Sequence, residues 1–275
     1  MLHIITFGIF IGAGLLLMGE RAEPIIDLVD RLSEMMYKVV DIVIQFTPFG
    51  VFGLMSKAVT IFGVGIFGPV FNFILVDYGA NIFNIVVWYS LILYFIAKVN
   101  PLKFYKKAFE PWAIAFSTCS SAAALPVTMK VGTDKLGIPK ETASFILPLG
   151  ATANMNGTGI YFGIVVMFAA QLYGIEISFS QQIMLVLTAT MLSIGCAAAP
   201  QTGLIISIAL LTGLGIPLDG IALIAGVYRI VDQIHTSTNA LGDLVVGVTV
   251  SSLEKDLDRE VFNNSDMLAV KSQVS

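Results

Sequence analysis

Charge is what this sequence has least of. Only 12% of its 275 residues are Asp, Glu, Lys or Arg, about half the share that covers the surface of a soluble domain, which excludes an ordinary soluble enzyme. The 15 Lys and Arg are not gathered into a basic stripe and the formal net charge is −4, so nucleic acid is not expected as a partner. Cysteine is equally scarce. Cys119 and Cys196 stand in small apolar surroundings with no CxxC spacing and no neighbouring histidine, which points to buried small residues and excludes a disulfide framework or thiolate metal site. What is abundant is apolar: 56% of residues are hydrophobic and the mean hydropathy is +0.87. The chain is expected to be an integral, all-α membrane protein.

Apolar windows long enough, or nearly so, to cross a bilayer run from Ile4 to Met18, Val39 to Phe67, Ile82 to Ala97, Ala143 to Leu172 and Ile221 to Val250. Two others, near 108–129 and 182–214, are interrupted at their centres. Lys98, Lys103, Lys106 and Lys107 precede the first of these, and Lys130, Lys135 and Lys140 follow it. By the positive-inside rule both of its ends face the cytoplasm, so it must enter and leave on one side. The second is flanked by Tyr173–Ile177 and Gly213–Asp219, which carry no Lys or Arg, and is expected to be a hairpin entering from the opposite face.

The interruptions are Ser117-Thr-Cys-Ser-Ser-Ala-Ala-Ala-Leu-Pro126 and Gly195-Cys-Ala-Ala-Ala-Pro-Gln-Thr-Gly203. Small residues, Gly and Pro end helices there, and the freed backbone groups must be buried in protein or face a polar cavity. Each hairpin precedes a segment with a polar centre: Asn154, Asn156, Gly157 and Thr158 in one, Tyr228 to Asp243 in the other. Hairpin plus polar helix therefore occurs twice, from opposite sides, an inverted repeat of the kind secondary transporters use to hold substrate and ions at the membrane midplane.

In the last segment Tyr228, Asp232, His235, Thr236, Asn239 and Asp243 fall at offsets of 0, 4, 7, 8, 11 and 15, one stripe on a helix of about 3.6 residues per turn. Ionisable groups at membrane depth cost about 2.5–3.5 kcal/mol each on insertion scales and mark interior sites. Arg229, three residues before Asp232, accounts for that carboxylate alone as a neutralised pair and leaves His235 and Asp243 unexplained. Asp243 with Asn154 and Asn239 offers the oxygens a hard cation such as Na⁺ prefers; hairpin tips present N–H groups for a carboxylate; Asp232 is free to take an ammonium group. The stripe calls for a zwitterion plus a cation. An ion channel also fits broken helices and polar linings. An intramembrane hydrolase using His235 lacks a Gly-x-Ser-x-Gly elbow, and the chain is not expected to be an enzyme.

At these residues the sequence resembles the glutamate transporter family, the dicarboxylate/amino acid:cation symporters. The likeness rests on a Ser-rich tip running into Leu125-Pro-Val-Thr-Met129, on Leu147-Pro-Leu-Gly-Ala-Thr152, on Asn154-Met-Asn-Gly-Thr158 where the family usually has Asn-Met-Asp-Gly-Thr, on Ala199-Pro-Gln-Thr-Gly203, and on Thr238-Asn-Ala-Leu-Gly-Asp243. Met36-Tyr-Lys-Val-Val40 and Pro48-Phe-Gly-Val-Phe52 resemble the start of the family's fifth transmembrane helix. Against that family the chain is expected to open at the end of the fourth helix, without the first three. The resemblance implies an elevator-type symporter, homotrimeric at full length, multi-pass in the plasma membrane, with cytoplasmic Lys-rich loops and C-terminus. It divides the chain into scaffold (1–80), transport domain (81–253) and polar tail (254–275).

It implies further that Asp232 binds the substrate amino group and Asn239 its α-carboxylate, with Thr158 and Thr236 beside them. Ser120 and Ser121 at the first tip, and Ala199, Pro200 and Gly203 at the second, would close over the substrate, the second hairpin acting as external gate. Asn154, Asn239 and Asp243 would hold Na⁺, with H⁺ an alternative coupling ion, and Asn156 would stand at a second cation site with its usual charge removed. Tyr228 stands where an Asp is common. His235 replaces the Arg that holds an acidic side chain in the family; a histidine offers one ring whose charge depends on pH, which makes a neutral or small polar amino acid the expected substrate and an acidic one the alternative. Arg229, nearly opposite on the helix, is not expected to substitute for it.

Overall fold

The computed structural model describes residues 2–196 and 198–264, and every regular element among them is helical. The chain divides into two units, one ending at Ile66 and the other beginning at Phe67.

The first unit contains α1 (Leu2–Met18), α2 (Glu23–Gln45) and α3 (Thr47–Phe62). The long apolar window from Val39 to Phe67 is not one helix. Pro48 lies in the first turn of α3, where its missing N–H has no helical partner to lose, and Gly63 at φ 74° ends that helix, a left-handed position that glycine adopts without strain. An exposed pair on α2, Arg31 Nε to Asp27 at 2.9 Å, lies one turn apart and contributes only a few tenths of a kcal/mol.

The second unit opens with α4 (Phe67–Phe83), which runs on through two π-helical stretches, Asn84–Tyr89 and Ile92–Ile96. A first hairpin follows, α5 (Pro101–Thr118) and α6 (Ser121–Asp134), then the broken pair α7 (Lys140–Ala153) and α8 (Asn156–Leu172). The second hairpin is α9 (Phe179–Ile194) and α10 (Thr202–Gly213), and α11 (Ile221–Glu254) is a single helix of 34 residues. The short α12 (Arg259–Asn263) covers the start of the polar tail; 265–275 lie outside the described residues.

Local signals explain these boundaries. Asn100 caps α5 by accepting from Leu102 N at 2.9 Å, and Ser178 and Gln181 form a capping box on α9; N-caps of this kind contribute about 1 kcal/mol each, and Cys119 at φ 54° closes α5. Pro126, expected at the break of the first hairpin, instead lies within α6, and the chain turns earlier, at Cys119 and Ser120. Ser120 is the better helix start, because its hydroxyl accepts from Ala123 N at 3.2 Å.

Helix α11 is the hub, packed against α4, α5, α6, α7 and α8. Its middle is buried on all sides, from Ile234 through Val245, as expected of a central helix with small residues facing its neighbours. Buried apolar groups gather around its two halves: Phe73, Tyr161, Ile206, Tyr228 and Val231 around the first, Leu93, Phe104, Leu147, Leu244 and Val248 around the second. The side chains left outside include Phe71, Leu75, Phe145, Val186 and Leu253, an apolar exterior suited to lipid. Among the described residues two stretches, Val64–Ile96 and Lys140–Leu172, are long and apolar enough to span a bilayer.

Candidate functional site

The break between α7 and α8, and both hairpin tips, converge on α11. The tips touch each other: Ser120 Oγ donates to the Ala198 carbonyl at 3.0 Å, and Ala122 N reaches the same oxygen at 3.4 Å. Ser121, Ala198, Ala199, Thr202, Gly203, Thr158, Tyr228, Asp232, Thr236 and Asn239 line one small cavity beneath them. Its volume of about 10 Å³ is room for about one water molecule, so anything larger enters only if a tip lifts. Pro200 lies in the turn of the second tip.

Asp232 is 6% exposed. One carboxylate oxygen accepts the Gln201 N–H of the second tip at 3.2 Å, the other the Thr236 hydroxyl at 3.3 Å. Gln201, at φ 67°, turns its amide toward the site at the start of α10. Asn239 is tied to the broken helix, its Oδ1 accepting Gly157 N at 2.7 Å and its Nδ2 donating to Thr158 Oγ1 at 3.1 Å. The close approaches explain the glycines: a Cβ on Gly203 would run into the Tyr228 hydroxyl, and one on Gly157 into the His235 carbonyl.

One to two turns further along α11, Asn154 Nδ2 donates to Asp243 Oδ1 at 2.9 Å, and a Cβ on Gly150 would lie 2.6 Å from that oxygen. The carboxylate, 2% exposed in its residue, therefore sits against the bare backbone of the broken helix, where amide and carbonyl oxygens suit a hard monovalent cation. Asn156 turns its Nδ2 to the Tyr89 hydroxyl at 3.2 Å, which itself donates to the Thr238 carbonyl at 3.1 Å.

Two residues stand elsewhere than the sequence suggested. His235 does not line the cavity. Its Nε2 is 2.7 Å from Asp77 Oδ2 on α4, and its ring packs on Tyr161 at 4.7 Å between centroids. A ring engaged by Asp77 is no ground for a neutral substrate. Arg229, expected away from the site, reaches the first tip and donates to the Ser117 carbonyl at 3.1 Å and the Thr118 carbonyl at 3.4 Å. Asp77 was missed altogether, although an ionisable residue within the apolar run from Phe71 to Phe95 carries the same signal that singled out Asp232.

The sodium:dicarboxylate symporter family model matches residues 1–253. The chain is 35% identical to the proton/sodium-glutamate symport protein of Bacillus subtilis over 99% of its own length and 62% of that protein. It is 34% identical to an excitatory amino acid transporter of Caenorhabditis elegans over 94% of its length and 52% of the relative, and 32% identical to excitatory amino acid transporter 2 of Rattus norvegicus over 98% and 47%. The chain thus spans about half to three fifths of the relatives' lengths. Those relatives are transporters, not enzymes. With that family model matched over 253 of its 275 residues, the chain belongs to the sodium:dicarboxylate symporter family.

Proposed function

We propose that this chain forms the substrate- and cation-binding part of a secondary symporter that carries an acidic amino acid, glutamate or aspartate, together with Na⁺ or H⁺. The observation that carries the reading is the Asp232 carboxylate, held between the second tip and Thr236 in a closed cavity: it is an anion built to meet a substrate ammonium group. Asn239 and the tip N–H groups meet the α-carboxylate. Asp243, with Asn154 and the broken helix, takes the coupling cation. Arg229, an always-charged fork at the first tip, supplies the positive group for a side-chain carboxylate once the tips part. The names of the relatives, glutamate symporters and excitatory amino acid transporters, support an acidic substrate over a neutral one. Rigid movement of the second unit would carry the loaded site across the membrane, and the Lys-rich ends of the first hairpin would mark the cytoplasmic side.

The test is saturable binding, and uptake in proteoliposomes, of labelled L-glutamate, L-aspartate, L-serine and L-alanine with and without a Na⁺ gradient. Acidic amino acids are expected to win, and Arg229→Ala to weaken them about tenfold while leaving neutral ones unchanged. Preference for serine or alanine overturns the acidic reading. Current without dependence on any amino acid overturns the carrier in favour of a channel.

A further inference from the structure

Asp77 and His235 lie in the buried interior of the second unit at 0% and 1% exposure, joined by one 2.7 Å hydrogen bond. They come from different helices, α4 and α11. Their other polar atoms, Asp77 Oδ1 and His235 Nδ1, are buried without a protein partner, and so is the Oδ1 of Asn81, one turn along α4. Buried polar atoms in native proteins are nearly always paired. Two ionisable groups placed together with spare acceptors and donors have capacity for one proton more or less than they hold.

The pair sits one ring behind the cavity. Tyr228, which lines the cavity, packs on Tyr161 at 5.4 Å and on His235 at 6.4 Å between centroids, and Tyr161 stacks on His235 at 4.7 Å. The titratable groups around the imidazole are Asp77 on α4, Tyr161 on α8, Tyr228 and Asp232 on α11 itself, and, beyond Tyr161 and Tyr228, Cys196 at the second tip. The immediate partner of the ring is thus a carboxylate, and a second carboxylate lies one turn along its own helix.

We infer that the Asp77–His235 pair is the proton-binding site of the transport cycle: it takes up a proton when an anionic substrate loads the Asp232 cavity and releases it when the substrate leaves. A net negative charge arriving one ring away favours the protonated pair, and by linkage the proton favours the substrate equally. The proton comes from water on the side to which the cavity opens, rests on the shared Asp77–His235 hydrogen bond, and returns to water on the other side; no other bond forms or breaks. Such a proton belongs to the pair and not to one residue. The inference rests on the acidic symport reading above for its substrate.

Calorimetric titration of the full chain with L-glutamate in Na⁺, repeated in buffers of different ionisation enthalpy, counts the protons. About one proton taken up per glutamate is expected, with an apparent Kd that rises up to about tenfold per pH unit where the pair titrates. In His235→Gln and in Asp77→Asn the count falls to zero and the Kd becomes flat with pH, while its Na⁺ dependence remains. No proton uptake by the wild type between about pH 5 and 9, or a full count retained in both variants, overturns the proposal. The chain has two histidines, so ¹⁵N-histidine spectra of His3→Gln report His235 alone, without touching the pair. If no amino acid binds the wild type, the symport reading fails, and these spectra decide the proton site by themselves: a ring that changes protonation across that range supports it, and a ring fixed in one state overturns it.

Discussion

The two halves of the repeat meet α11 in different ways. In the first, α5 and α6 pack along each other and against α11, and only Cys119 and Ser120 separate them. In the second, α9 and α10 touch each other little, α9 leans on α8, and α9 ends at Ile194 while α10 begins at Thr202. The first tip is held by a serine cap and by Arg229; the second meets α11 where Gln201 N donates to Asp232. A segment with few buried contacts opens at low free energy. On the proposed symport reading the second tip is the one that lifts, and Asp232, an anchor of the closed tip, is the group an incoming ammonium would claim.

Substitutions at the two tips and along α11 test this difference. Asp232→Asn is expected to have the largest effect. Removing a buried charged partner costs about 3 kcal/mol or more, on the order of a 100-fold loss of glutamate affinity, measured by equilibrium binding in saturating Na⁺. Retained affinity would show that Asp232 serves the tip alone. Asp243→Asn is expected to raise the half-saturating Na⁺ concentration on the order of 30-fold through the loss of a charged ligand worth about 2 kcal/mol, with glutamate affinity recovered at high Na⁺. Gly203→Val places side-chain carbon against the Tyr228 hydroxyl and should weaken glutamate about tenfold by preventing closure, at the ~1–3 kcal/mol typical of overpacking. Hydrogen exchange of the second tip should then be fast even with substrate present. Ser120→Ala, which removes a cap worth about 1 kcal/mol, should weaken binding only about fivefold. Equal losses at Gly203 and Ser120 would erase the difference between the tips.

Much of this was legible in the sequence, for a physical reason. Polar residues and helix breakers in hydrocarbon are so costly that they report function wherever they occur, which made the two interruptions, the Asn154 to Thr158 break and the α11 stripe visible by spacing alone. Pro126 misled because proline is tolerated inside a membrane helix when neighbours satisfy the freed carbonyl, and the serine cap decided the turn instead. His235 misled for a different reason. Periodicity places a residue on a face but cannot say which neighbour covers that face, and here α4 brings Asp77 to the ring 158 positions away in sequence. Arg229 misled likewise, since a long flexible side chain reaches around a helix to carbonyls that helical angle alone puts out of range.

By itself, then, the sequence determined that the chain belongs in a membrane, that two of its apolar windows are interrupted at their centres, and that one helix face holds the charge, because the cost of burying polar groups in lipid leaves few alternatives. Only the tertiary structure decided which charges meet. It set Asp232 against a tip, Asp243 against a broken helix, and His235 against Asp77, because hydrogen bonds act over about 3 Å and depend on how helices far apart in the chain are packed side by side.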